Sequence, residues 1–184
     1  MAKQEKNTFT TKVFECAGND PDRPALQCVY FKGGFAYATD GSVCIKQTLL
    51  LQRVLNPENL EGKALHRESY KDIMGFEVAE CLEDGINCYC ANGQKVFFDY
   101  YELSPENPAP EFDRYLKSAR GQTSLDFIGI DPASFEKVCD ALYAPDNEIR
   151  VQFTGVDSHI IVDCPAVEGQ TATMMPRILQ NTLF

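Results

Sequence analysis

Two histidines, His66 and His159, and eight cysteines are the residues from which this chain could build a nucleophile with its base, or a metal site. His159 falls inside a strand-like run and His66 at the entrance of a helical stretch, and neither stands in a glycine-rich turn or nucleophile elbow. Cys88 and Cys90 make a C-x-C pair rather than the C-x-x-C knuckle of a zinc site, with no histidine near them in sequence. No phosphate-binding or dinucleotide fingerprint occurs. Cys28, Cys44, Cys81, Cys139 and Cys164 sit in apolar runs of a chain large enough to form a core without staples, so they read as buried thiols rather than a disulfide framework. The expectation is a protein with no catalytic residues, metal or cofactor, whose work is binding.

Charge narrows what it can bind. The 184 residues carry 17 Lys and Arg against 27 Asp and Glu, a formal net charge of −10. Coating a nucleic acid electrostatically requires clustered cations that release counterions, so the overall balance argues against that mode while leaving room for a local basic face. No apolar run approaches a bilayer span, and the polar start Met-Ala-Lys-Gln-Glu-Lys-Asn has no apolar signal region behind it, so the expected location is the cytoplasm with no membrane partner.

The elements that must position any binding residue are strands with a few helices. Residues 8–16 read as a strand and 18–24 as a loop; 26–31 and 35–39 are strands around Lys32-Gly33-Gly34, and 43–51 continues the sheet. A helix of roughly ten residues over 67–76 follows from the spacing of Tyr70, Ile73 and Met74. Strands at 77–82, 86–91 and 95–103 are punctuated by Asp84-Gly85 and Asn92-Gly93, and the prolines of 104–110 make a connector. Residues 125–130 read as a strand, Asp131-Pro132 as a helix start, and Phe135, Val138, Cys139 and Leu142 as one apolar stripe. Strands at 149–153, 159–164 and 171–178 complete a β-α-β-β-β order that 62–103 also shows. The N-terminal segment has the strands without a clear helix. The expected class is α+β, with antiparallel sheets carrying helices on one face. Two domains are expected: 1–118, whose second unit begins near 60, and a half-domain at 119–184.

Three stretches resemble one family, the bacterial sliding clamp or beta subunit of DNA polymerase III. Arg23-Pro24-Ala25-Leu26-Gln27-Cys28-Val29-Tyr30-Phe31, running on to Ala38-Thr39-Asp40-Gly41, looks like its middle domain, where an Arg-containing turn leads into two strands ending in A-T-D-G. Tyr101-Glu102-Leu103 to Glu111-Phe112-Asp113-Arg114-Tyr115 resembles that domain's F-P-D-Y-like exit, and Met174-Met175-Pro176-Arg177-Ile178-Leu179 its C-terminal M-P-M-R-L. The pieces follow the family's order across 23–179. Two departures stand out: Ser42-Val43-Cys44 replaces the family's H-R-L, and the chain is short, matching a middle domain plus a last half-domain.

The resemblance implies a DNA-clamp fold and a pocket for short peptides of DNA polymerases and other clients, bordered by Thr39, Gly41, Val43, Met175, Pro176 and Ile178. It implies helices turned toward double-stranded DNA inside a ring, for which Arg67, Lys71 and Lys137 are the nominees. The segment Gln180-Asn181-Thr182-Leu183-Phe184 resembles the Q-x-x-L-F peptides that clients use, so Gln180, Leu183 and Phe184 are expected to dock on another copy of the chain or on a host clamp. The expected function is a non-catalytic replication processivity factor or clamp-derived accessory protein, working as a homo-oligomer or with a host clamp. The alternative is an interaction module of a phage or mobile element that binds replication proteins without encircling DNA.

Overall fold

The glycine pair at 33–34 takes positive φ at both positions, 60° and 77°, and closes β1 (Cys28–Lys32) onto β2 (Phe35–Thr39) as a tight hairpin. The structure, a computed structural model, describes residues 6–103, 105, 108–114, 128–146, 148–153 and 159–177. The remaining described strands are β3 (Val43–Thr48), β4 (Ala64–His66), β5 (Val78–Cys81), β6 (Gly85–Tyr89), β7 (Lys95–Asp99), β8 (Arg150–Gln152), β9 (Ile160–Asp163) and β10 (Thr171–Met174). Two helices lie wholly within the described residues, α1 (Arg67–Ile73) and α2 (Pro132–Ala141), and residues 112–114 are also helical.

Seven strands form one antiparallel sheet in the order β4-β1-β2-β3-β10-β9-β8, and β5-β6-β7 form a second. The class is the α+β arrangement expected. Both helices lie on the same face of the large sheet, α1 against β4 and β1, α2 against β3 and β10. Alternation along each strand sets that face: Val29, Phe31, Ala36, Ala38, Val43, Ile45, Ile160, Val162, Ala172 and Met174 all point into one core shared with Tyr70, Ile73 and Val138. Ala79, Cys81, Ile86 and Cys88 of the small sheet close it from the other side.

The β-α-β-β-β order holds for β4-α1-β5-β6-β7, and among the described residues the unit ending in β8-β9-β10 opens with a bridge of Gly129 to Arg177 and then α2. The N-terminal stretch departs from the strand expected at 8–16. It forms a bridge from Asn7 to Val78 and then a 3-10 turn at Val13–Cys16. Val13, Phe14, Cys16 and Ala17 are all buried, a helical spacing that a strand would have split between core and solvent. The turn stands where the other two units carry a helix.

Boundaries moved for local reasons. Pro24–Gln27 is a 3-10 turn because Pro24 sits at its first position, which delays β1 to Cys28. Leu49–Leu51 turns away from β3 under the Thr48 cap. Asp131 caps α2 as expected, its carboxylate accepting from Ser134 N at 3.0 Å and Ser134 Oγ at 2.8 Å. Gly85 matters for space rather than for a turn: a Cβ there would lie 2.3 Å from the Phe97 ring and 2.5 Å from Phe98 O. β3 pairs with β10 from Lys46–Thr171 to Val43–Met174, which brings the first and last thirds of the chain into one sheet.

Candidate functional site

The turn joining β2 to β3 is tied by short-range hydrogen bonds. Thr39 Oγ1 donates to Val43 O at 2.6 Å and accepts from Gly41 N at 3.0 Å. Asp40 Oδ1 accepts from Ser42 N, Ser42 Oγ and Val43 N at 2.8, 2.7 and 3.0 Å. Gly41 has φ 95°, and the Arg23 guanidinium lies 3.3 Å from where a Cβ would stand, so both conformation and space favour glycine.

The β3–β10 register brings the distant C-terminal stretch to this turn. Met174 pairs with Val43 and Met175 N donates to Ser42 O at 2.8 Å. Two ion pairs lock the junction to α2: Lys137 to Asp40 at 3.1 Å and Arg177 to Asp131 at 2.7 Å. Burial would raise the Asp40 pKa, but the hydrogen bonds from Val43, Ser42 and Lys137 outweigh it and hold the carboxyl below its ordinary value.

That depression sets a direction with pH. The contribution of Asp40 is fully present above 3.8, its ordinary value, and fades as pH falls through the lower folded value. Asp40→Asn is therefore expected to lose about 1–2 kcal/mol at neutral pH. The gap to the unsubstituted protein should narrow as pH falls below 3.8 and on through the lower folded value, where Asp40 itself protonates. Urea unfolding at the two pH values checks this.

Of the nominated pocket residues, Thr39 and Val43 are buried, at 1% exposure each, and can serve a ligand only through the backbone they fix. Met175 is 41% exposed and Pro176 half-buried beside the Gly41 turn, which gives the junction an apolar rim. Ile178 and the docking residues Gln180, Leu183 and Phe184 lie outside the described residues.

The nominated cations have different fates. Arg67 does not face outward with Lys71: its side chain is 14% exposed, and Nη1 donates to Ala17 O at 2.9 Å and Gly18 O at 3.3 Å. The guanidinium holds the 17–18 backbone in place. Lys137 is spent on Asp40, and Lys71 is exposed.

His66 caps α1, with Nδ1 accepting from Glu68 N at 3.3 Å and Nε2 against Gln27 Oε1 at 2.9 Å. Burial holds His159 below its ordinary pKa. Burial also pushes the Cys28, Cys44, Cys81 and Cys88 thiols up to about 12 and Cys16 higher still, which keeps them from acting as thiolates near neutrality. Among the described residues no three His, Cys, Asp or Glu stand together as a metal site, and no helix is long and apolar enough to cross a membrane.

Sequence reasoning missed a second feature, on the large sheet's other face. Tyr30, Tyr37 and Phe112 cluster there with Cys28, Cys44 and Ala64. The signal was present: both alternate positions of β1 and β2 are apolar or aromatic, the mark of a sheet covered on two faces.

This is the fold of a DNA sliding clamp. The DNA polymerase sliding clamp of Pseudomonas aeruginosa superposes with a TM-score of 0.60 at 10% identity, over 94% of this chain and 65% of that one. The clamp of Bartonella birtlesii bound to griselimycin gives 0.58 at 11% identity over 97% and 68%. Caulobacter crescentus pol III beta gives 0.59 at 12% over 94% and 65%. This chain thus spans about two thirds of those proteins' length. No protein-family model matches the sequence, and no curated protein matches it.

Proposed function

We propose that the chain is a non-catalytic, clamp-derived replication accessory protein whose rim at Gly41 and Met175 receives a short apolar peptide from a DNA polymerase or another clamp client. The observation that carries this is the β3–β10 register, which sets the exposed Met175 beside the rigid Thr39–Val43 turn. Such a rim works by removing one or two apolar anchors from water while backbone groups fix the peptide's direction.

A labelled peptide of sequence Gln-Asn-Thr-Leu-Phe, that of residues 180–184, is the first probe. The chain ending at 179 is expected to bind it, and Met175→Glu to weaken binding at least tenfold in fluorescence anisotropy. No binding, or binding that Met175→Glu leaves unchanged, overturns the reading.

The second reading is a ring around double-stranded DNA. It draws support from β7 and β8, each the last strand of its sheet among the described residues, where strands of another copy could continue the two sheets. Against it stands the engagement of Arg67 and Lys137 within the fold, which leaves Lys71 as the exposed nominee. A defined oligomer in sedimentation velocity would favour the ring; a monomer across a wide concentration range would leave the module that binds replication proteins without encircling DNA.

A further inference from the structure

An exposed sheet face is normally polar, yet the outer face of the large sheet is aromatic at β1 and β2. The register pairs Tyr30 with Tyr37, and the helical residues 112–114 lay Phe112 over both, with ring centroids 5.4 and 5.0 Å away. Between these rings, the Gly33 hairpin and residues 109–114 lies a cleft of about 740 Å³. That volume suits a few residues of peptide or a small ligand.

Lys32, Lys46, Lys63 and Arg114 line the cleft. Arg114 is 3.8 Å from Glu111, whereas Lys32, Lys46 and Lys63 stand in no ion pair among the described residues. Lys46 Nζ sits 4.1 Å from the Phe35 ring centre and Lys63 Nζ 5.3 Å from that of Tyr100. In a chain of net charge −10, three lysines outside any ion pair among the described residues, around one aromatic floor, make a local site for anions. Tyr37 adds a donor. It lines the cleft at 7% exposure, and its hydroxyl has no hydrogen-bond partner among the described residues, while Tyr30 donates to Ala25 O at 2.6 Å.

We propose that this cleft docks a peptide segment of another protein in which an aromatic or large aliphatic side chain is flanked by Asp or Glu. The apolar side chain takes the floor of Phe35, Tyr37 and Phe112, and the acids meet the lysines and the Tyr37 hydroxyl. A nucleic-acid strand fits less well. Glu111 and Asp113 share the lining and Glu61 accepts from Gly33 N at 2.8 Å, so a phosphate chain would run past three carboxylates. A peptide can place its acids on the lysines and leave the carboxylates to water.

The test is a random heptapeptide phage library panned on the full chain, followed by anisotropy with the enriched peptides made synthetically. The peptides are expected to carry Phe, Tyr or Leu beside Asp or Glu. Their affinity should fall at least tenfold in the Lys32→Glu/Lys46→Glu double variant and weaken as salt rises, while persisting in Met175→Glu. Circular dichroism verifies that the double variant stays folded, and Phe35→Ser, which keeps the lysines, should also weaken binding.

Three outcomes overturn the proposal: no enrichment, binding indifferent to both sets of cleft changes, or peptides lost only with Met175→Glu. A labelled oligothymidine that binds the chain and is released by the double variant would assign the cleft to nucleic acid instead, and so also overturns it.

Discussion

Replacing Tyr70 by alanine is expected to remove about 3–5 kcal/mol of folding stability, among the largest single-residue effects in the chain. Tyr70 is fully buried, stacks on Phe9 at 4.2 Å between centroids with planes 14° apart, and meets Phe14 at 6.0 Å. Its hydroxyl donates to Thr11 O at 3.1 Å, and burial pushes its pKa up so that it stays a donor. The truncation would open a cavity where α1, the N-terminal turn and the large sheet meet. Tyr70→Phe, which keeps the stacking and gives up the hydrogen bond, should cost only about 1 kcal/mol. Urea unfolding separates the two, and a loss below about 1 kcal/mol for the alanine variant would contradict this account of the core.

Gln47→Leu is expected to cost about 3 kcal/mol even though leucine suits a buried strand. Gln47 is fully buried in β3. Its Oε1 accepts from Thr11 Oγ1 and from Gln52 Nε2, and its Nε2 donates to Ala141 O at 3.2 Å and to Gln170 Oε1. Gln170 in turn bonds both backbone groups of Tyr143, at 2.7 and 2.9 Å. One side chain thus joins the N-terminal segment, β3, the end of α2 and the approach to β10. Leucine would strand an acceptor at Ala141 and break the link between Thr11 and Gln170. The unsubstituted chain is expected to melt in one transition seen alike by probes on either side of the network. In the leucine variant, amide exchange in β9 and β10 should accelerate more than in β5 and β6. Two separate transitions in the unsubstituted chain would mean that the network does not couple the halves.

What could be read from the sequence was local. Lys32-Gly33-Gly34, Asn92-Gly93 and Asp131-Pro132 each carry their own backbone chemistry, and each stands where a turn or helix start was expected. The 3-10 turn at Val13–Cys16 was missed because Thr-Phe-Thr-Thr alternates like a strand, and the helical spacing of Val13, Phe14, Cys16 and Ala17 begins only after it. Arg67 looked like a surface cation because its position on α1 is polar; its true partners, the carbonyls of Ala17 and Gly18, are remote in the chain. Gln47 is a polar residue in a strand, and nothing in the sequence around it marks it as buried. The nearness of Met175 to Gly41 followed from family resemblance alone, since no periodicity in either segment encodes which strand will be its neighbour. The cleft at Tyr37 depends on residues 109–114 crossing the outer face, a path their prolines permit but do not dictate.

Among the described strands β10 comes last in the chain, yet it lies between β3 and β9 within the large sheet. During synthesis β4, β1, β2 and β3 can pair as soon as they emerge, but β9 and β8 have no place on that sheet until β10 has been made. The hydrogen-bonding groups along the free side of β3 must therefore wait until residues 171–174 have been made. Such delay slows folding and leaves a template for a wrong strand. A nascent chain stalled before residue 171 should thus be more prone to aggregate, or to engage chaperones, than one released at full length.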